Sequence, residues 1–465
     1  MYDLQQSKAT KLLASYASWN YSFNKKIRHK FRNTSKSFLA NNDSIDYAFI
    51  AKVAQKSKIL HYVYFVAMVF IMWLIFRECI NIAEYYNYLE IVSSDPIYEN
   101  FYTDIKTDTE SVTNILMLGF FAWFVSFVYD ILRYKNMFDL EDDLQNTDIS
   151  NFRIPSSNQN ICIFSGQKPF IGSGIISKNF SFVIATNKPK QINNNSELIN
   201  FSEDEIYNTI QNALSTKNNI SQKLYINGSL LNGDTYLLST IDSGKFDMEL
   251  WQKYSEYNGN NIRRYICITN NSQSQEIQSN FFIRFVKSDN TLFVEITATL
   301  LNPIALQYRI SEQLPQKISI TRFGLIFQNS IITAISNLVK SVFYTASFFL
   351  TLPERLFEKS RIKKQIQENP LFDYGETSTL REDIADNSLQ TFYNSMDDDQ
   401  LFKQTEKNIF DSLINFLESK NIDTSDLSQQ QTTIINNGLM MSGGEIKAGN
   451  LVAGKMAKLF GAKTK

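Results

Sequence analysis

The chain has 465 residues, enough for two or three domains. Its formal charge of −1 and mean hydropathy of −0.23 argue against a strongly basic nucleic-acid binder and against a chain lying mostly in lipid. Three scattered cysteines (Cys79, Cys162, Cys267) make no disulfide framework or zinc spacing, and the only histidines are His29 and His61. Any chemistry beyond residue 133 must therefore do without the commonest general base and metal ligand.

Residues 1–58 read as a basic, helical, cytoplasmic segment carrying eleven Lys/Arg against Asp3, Asp43 and Asp46. Lys25, Lys26, Arg28, Lys30, Arg32 and Lys36 form its densest run, placed to lie on anionic lipid head groups at about 1 kcal/mol per charge. A solvated topology signal without a specific ligand is the competing reading, and nucleic acid is the weakest of the three.

Residues 59–133 read as a transmembrane hairpin. The span at about 59–76 has no charge, and the span at about 112–132 carries only Asp130. At 1.5 Å per residue, either run covers roughly the 30 Å hydrocarbon core. The loop 81–110 holds Glu84, Glu90, Asp95, Glu99, Asp104, Asp108 and Glu110 against Lys106 alone. Basic flank and acidic loop together predict a multi-pass protein of the cytoplasmic (inner) membrane, with both termini cytoplasmic. The start of the chain shows no signal-peptide pattern. His61 is expected at the interface, and Asp130 with Arg133 as a local helical pair.

Residues 134–324 read as a cytosolic α+β domain. Short apolar runs broken by Asn, Ser, Gly and Asp predict strands near 162–164, 182–185, 224–226, 265–269, 281–286 and 292–299. Ser202 opens a helix with acids in its first turn. A two-residue turn at Asp289–Asn290 would place Arg284 opposite Glu295, a structural ion pair worth about 0.2–1 kcal/mol. Candidate anion or ligand contacts are Gly166, Lys168, Gly172, Ser173 and Gly174 in one glycine-rich stretch, with Arg263 and Arg264 on a later strand. The stretch reads first as a strand connection whose turns are set by Pro169 and the glycines, with the anion cradle as the alternative.

Residues 325–365 predict an amphipathic helix, packed on the α+β domain or lying along the membrane. Ile332, Ile335, Val339 and Val342 recur on one side, with Asn329, Thr333, Ser336, Asn337 and Lys340 on the other. A third span would carry Lys340 toward mid-membrane, at about 2.5–3.5 kcal/mol. An acidic linker (366–399), a second amphipathic helix (400–427) and a Gly/Ala-rich tail (428–465) follow. Gly449–Lys455 has phosphate-loop spacing, but Met456 stands where Ser or Thr should bind magnesium. No catalytic residue, metal site or cofactor is assigned.

The runs FSGQKPFIGSG, RRYICITN and FFIRFVKSDNTLFVEITATLLNPIALQYRISE resemble uncharacterised bacterial membrane proteins, mainly of actinobacterial type. Those combine a two-helix membrane hairpin with a cytosolic domain bearing a G-x-x-P-F-x-G-x-G element. The resemblance spans about 160–312 plus the hairpin and implies no activity. The expected fold is thus α+β: an N-terminal membrane hairpin, a cytosolic mixed domain and C-terminal helices. The expected partners are the bilayer and a protein or ligand, or a second copy met through the tail. The leading reading is a membrane anchor for a cytoplasmic ligand- or partner-binding domain, with the balance against an enzyme. The alternatives are a membrane-disrupting or channel-forming effector using helix 325–352, and an enzyme on a phosphorylated or lipid substrate.

Overall fold

The computed structural model describes residues 8–33, 38, 45–93, 106–140, 160–190, 198–215, 219–243, 248–255, 261–271, 277–369, 372–386, 392–429 and 431. In chain order the elements are α1 (Lys8–Trp19), α2 (Tyr21–Asn33), α3 (Tyr47–Ser93), α4 (Lys106–Phe138), β1 (Ile161–Phe164), β2 (Ile175–Ala185), α5 (Glu203–Ser215) and β3 (Asn219–Asn227). There follow α6 (Thr235–Asp242), α7 (Met248–Ser255), β4 (Ile262–Asn271), β5 (Gln278–Ser288) and β6 (Thr291–Leu301). The last are α8 (Ile310–Gln313), α9 (Ile320–Leu350), α10 (Leu352–Glu368), α11 (Leu380–Asp383) and α12 (Phe392–Ser419). Two compact units result: one of Met1–Asn33, Ser44–Phe152 and Gln307–Glu368, the other of Thr34–Asp43, Arg153–Leu306 and Asn369–Lys465.

The first unit is helical. No Gly or Pro interrupts 47–93, so α3 runs unbroken from a cap in which the Asp46 carboxylate accepts from the Phe49 amide at 3.0 Å. Among the described residues three segments are long and apolar enough to cross a membrane: Tyr47–Asn87, Glu110–Phe138 and Ile320–Leu350. This unit has an apolar core (Phe65, Met68, Ile71, Ala122) and, unlike a water-soluble bundle, large apolar side chains over its outside as well. Val63, Val66, Phe70 and Trp73 on α3 and Leu116, Phe120 and Phe124 on α4 are exposed, while His61, Ser57 and Ser126 are buried. Polar groups pair inside: His61 Nδ1 lies 2.6 Å from the Tyr129 hydroxyl, and Tyr64 Oη lies 2.9 Å from Ser126 Oγ. Apolar side chains outside and polar side chains hydrogen-bonded to one another inside suit a lipid solvent.

Helix α9 belongs to this unit and packs on α3 and α4. Toward them it turns aromatic side chains near its two ends (Phe323 and Phe327, then Tyr344 and Phe348) and small or polar ones between. Ser330 and Ser341 are 0% exposed, Asn337 Nδ2 donates to Tyr64 Oη at 2.9 Å, and Thr333 Oγ1 donates to Asp130 Oδ2 at 3.4 Å. Other apolar residues face away, with Ile332 70% and Phe343 71% exposed.

The second unit is built on a six-stranded sheet of order β1-β3-β4-β5-β6-β2, with β1 parallel to β3 and the other neighbours antiparallel. One face carries the main core. Phe281, Ile283 and Phe285 on β5 and Val294, Ile296 and Ala298 on β6 lie under α5 and α12. Acids at the first turn of α5 and the Ser202 hydroxyl, which accepts from the Glu205 amide at 3.2 Å, start that helix. Phe402, Phe410 and Leu413 of α12 enter the same core, and Glu406 receives Lys178 of β2 at 2.9 Å. The sheet therefore draws its cover from chain on both sides of α9.

Candidate functional site

The opposite face of the sheet holds most of the residues singled out from the sequence. Because strand residues alternate between faces, Tyr265, Cys267, Phe282, Arg284, Glu295 and Thr297 share it. Over its β1-β3-β4 part the loop 165–174 closes down. Phe170 stacks on Phe282 at 4.1 Å between ring centroids and meets Tyr265 and Tyr225 edge-on at 5.1 and 5.4 Å. Cys162 and Cys267 complete this small apolar cluster. Burial pushes the Cys162 thiol up to about 12, so it is a packing group rather than a nucleophile.

The glycines let the loop follow this path. Gly166, Gly172 and Gly174 all have positive φ, at 69°, 86° and 86°. At Gly174 a Cβ would also sit 2.2 Å from the Leu300 carbonyl oxygen, so no side chain fits. The Gly174 amide donates to Glu382 Oε1 at 3.0 Å, and the Ser165 amide to the Glu376 carbonyl at 3.0 Å. An internal carboxylate thus takes the amide that an anion cradle would offer. Glu382 is held in turn by a capping box with Thr379 at the start of α11.

Next to this loop lies a cavity of about 440 Å³. Ile171, Ile175, Ile176, Leu300 and Leu301 supply its apolar wall, and Lys168, Ser378, Asp383 and Asp386 its polar rim. Asn302 also lines it. That residue is buried, its Nδ2 donates to the Asp386 carbonyl at 2.8 Å, and its Oδ1 has no hydrogen-bond partner. The cavity's apolar wall and polar rim suit a ligand or peptide that brings an apolar body and polar ends.

The predicted arginines separate. Neighbours on a strand point to opposite faces, so Arg263 and Arg264 cannot share a site. Arg264 is on the core face, its side chain 6% exposed, with its guanidinium 4.0 Å from the Tyr207 ring centroid and 4.8 Å from that of Trp251. Its Nη2 and Nε donate to Gln222 Oε1 at 2.6 and 3.0 Å, and its Nη1 to Asp204. That geometry is structural. Arg263 and Arg284 converge instead on Glu295, at 3.7 and 3.6 Å, and Tyr265 Oη donates to the same carboxylate at 3.2 Å. Arg284 stands opposite Glu295 in the ladder, and the turn joins Ser288 to Thr291. Burial, then the Glu295 charge, pushes the Tyr265 phenol up to about 12.

Sequence reading thus named residues from three places: the loop and cavity edge (Gly166, Lys168, Gly172, Ser173, Gly174), the core face (Arg264), and the Glu295 cluster (Arg263, Arg284). Asn302, Asp383 and Tyr265 were missed. Thr379 and Glu382 carried a legible capping-box signal, whereas nothing local marks Asn302. Lys25, Lys26, Arg28 and Lys30 lie on α2 in the helical unit. Arg32 is the next-to-last residue of that helix, and Lys36 and the tail 432–465 lie outside the described residues. Among the described residues no group of three or more His, Cys, Asp or Glu could hold a metal ion.

No curated protein and no solved structure matches the chain. The glycine-rich element at 166–174 precedes the region that a family model does match. That model is the AbeC-like domain, a description that names no activity. It covers residues 181–449, more than half of the sequence, and the chain belongs to the AbeC-like domain family.

Proposed function

We propose that the protein is an integral membrane protein anchored by the α3–α4 hairpin, with its α+β unit working on the cytoplasmic side as a ligand- or partner-binding module. The observation that carries this is the apolar exterior of the helical unit, where Val66, Phe70, Phe120 and Phe124 are exposed while the Tyr64–Ser126 hydrogen bond lies inside. Orientation rests on the basic flank of 1–58 and the acidic loop 81–110. The binding role rests on the cavity beside loop 165–174, with its apolar wall and polar rim.

Thiol labelling of the full chain in intact cells tests the orientation. In a Cys79→Ser background, Asp95→Cys should react with a membrane-impermeant maleimide from outside, and Asn200→Cys only after permeabilisation. Labelling of Asn200→Cys from outside overturns the reading. For the cavity, Ile176→Asp should abolish, and Lys168→Ala preserve, the protection from proteolysis that a bound peptide or ligand confers on the loop.

A further inference from the structure

We infer that α9 is not a third span but a brace that lies in the cytoplasmic interface of the membrane, across the base of the hairpin, with lipid as its partner. This rests on the anchoring proposed above and specifies what the third apolar helix does.

The contacts of α9 show its direction. Phe323 and Phe327 pack on Phe127, Thr333 bonds Asp130, Asn337 bonds Tyr64, Tyr344 packs on Phe65, and Phe348 packs on Tyr62. From Phe323 to Phe348 the helix advances about 38 Å. Its partners advance far less: residues 123–130 on α4, where Trp123 also meets Phe327, cover about 10 Å of axis, and residues 62–65 on α3 about 5 Å. The two partner stretches also lie at one level, because Tyr64 stacks on Tyr129 at 3.8 Å and bonds Ser126. A third span would run along its neighbours, whereas α9 passes from one to the other at constant depth. That depth is the end of the hairpin nearest the basic segment, where Tyr21 of α2 meets Tyr344 at 4.7 Å.

The surface of α9 divides to match. One arc, with Ser330, Ala334, Asn337 and Ser341, faces α3 and α4. The opposite arc, with Ile332, Ile335, Val339 and Phe343, is exposed and apolar apart from Gln328. Between them runs a polar line of Asn329, Ser336, Lys340 and Ser347. A spanning helix has no use for that line, while an interfacial helix needs it, with Lys340 set to meet lipid phosphate. The apolar arc is continuous in character with the exposed belt of Val63, Val66 and Phe120, so the same acyl chains cover both.

Connectivity closes the case. Chain before α9 (β2 to β6) and chain after it (α12) form a single core, as Phe182 and Phe410 show at 5.6 Å. One core cannot be divided by a bilayer. A crossing by α9 would need a return crossing by α10, whose LPERLFEKSRIKKQIQE carries eight charged residues in seventeen.

Two measurements on the full chain in phosphatidylethanolamine–phosphatidylglycerol vesicles or cells decide it. In the Cys79→Ser background, Asn200→Cys and Ser425→Cys, on either side of α9, should both resist an impermeant maleimide in intact cells and both react after permeabilisation. Reaction of Ser425→Cys alone from outside makes α9 a span and overturns the inference. In vesicles, a fluorophore on Ile335→Cys should be quenched by lipids spin-labelled near the head group more than by lipids labelled at the acyl terminus, and one on Lys340→Cys by aqueous iodide. Quenching of Ile335→Cys by iodide alone places α9 in water and overturns it too. Release of the whole chain from the membrane would instead defeat the anchoring proposal.

Discussion

Replacing Phe170 with Ala asks whether loop 165–174 is a structural clamp or a ligand cradle. The ring is buried, stacks on Phe282 at 4.1 Å and touches Tyr225 and Tyr265 edge-on. Deleting a core Phe side chain costs about 3–5 kcal/mol, and each aromatic pair adds about 0.5–1.5 kcal/mol beyond its area. The loop cannot collapse into the space, because the Ser165 amide is tied to the Glu376 carbonyl and the Gly174 amide to Glu382. A loss near 4 kcal/mol follows for Phe170→Ala, and about 1 kcal/mol for Phe170→Leu, which refills most of the volume. Lys168→Ala, exposed two residues away, should stay within about 0.5 kcal/mol. Urea unfolding of the full chain in detergent, followed through Trp251 in the α+β unit, reads all three. An unchanged midpoint for Phe170→Ala, with a lowered one for Lys168→Ala, would refute the clamp.

Three further expectations come from the same unit. Arg264→Ala should lose about 3 kcal/mol in the urea transition, and Arg264→Lys about 1–2 kcal/mol, because the ammonium keeps the charge but not the fork to Gln222 or the stacking between Tyr207 and Trp251; equal stability of Arg264→Lys and the parent would contradict this. Only Cys79 is exposed, so folded protein should react with one equivalent of a thiol reagent at neutral pH and with three after unfolding; rapid labelling of Cys162 in the folded state would count against a thiol raised to about 12. Burial first, then Glu295 at Tyr265 and Asp234 at Tyr254, lifts both phenols from 10 to about 12. The folded state keeps protons that the unfolded chain releases above pH 10, so this stability is fully present below 10 and is lost as pH rises toward 12. The urea midpoint should fall over that range, and less steeply in a Tyr254→Phe, Tyr265→Phe double variant; identical slopes would oppose it.

What the sequence made legible was local. The apolar runs at 59–76 and 112–132 stand out because no charge interrupts the first and only Asp130, near its end, the second, and the β5–β6 register follows from one two-residue turn and alternation alone. Ser202 with three following acids announced α5. Long-range facts left no local trace. The parallel pairing of β1 with β3 joins Ile163 to Ile226 across sixty-three positions, and the place of α12 under the sheet joins Phe410 to Phe182 across α9. Helix α9 shows the same limit: its pattern gave an amphipathic helix, but amphipathicity does not say which face meets protein. The polar stripe that suggested water meets α3 and α4 at Thr333 and Asn337. At the candidate site the glycines were readable, but Asn302 was not, since nothing in one strand end foretells an unmet acceptor beside a cavity.

Alkaline carbonate extraction of membranes carrying the full chain tests the anchoring most directly. The account predicts that the chain stays with the membrane pellet, and that paired Val66→Asp and Phe120→Asp changes release it, because each places a charge in the lipid-facing belt. Release of the unaltered chain into the supernatant would contradict it.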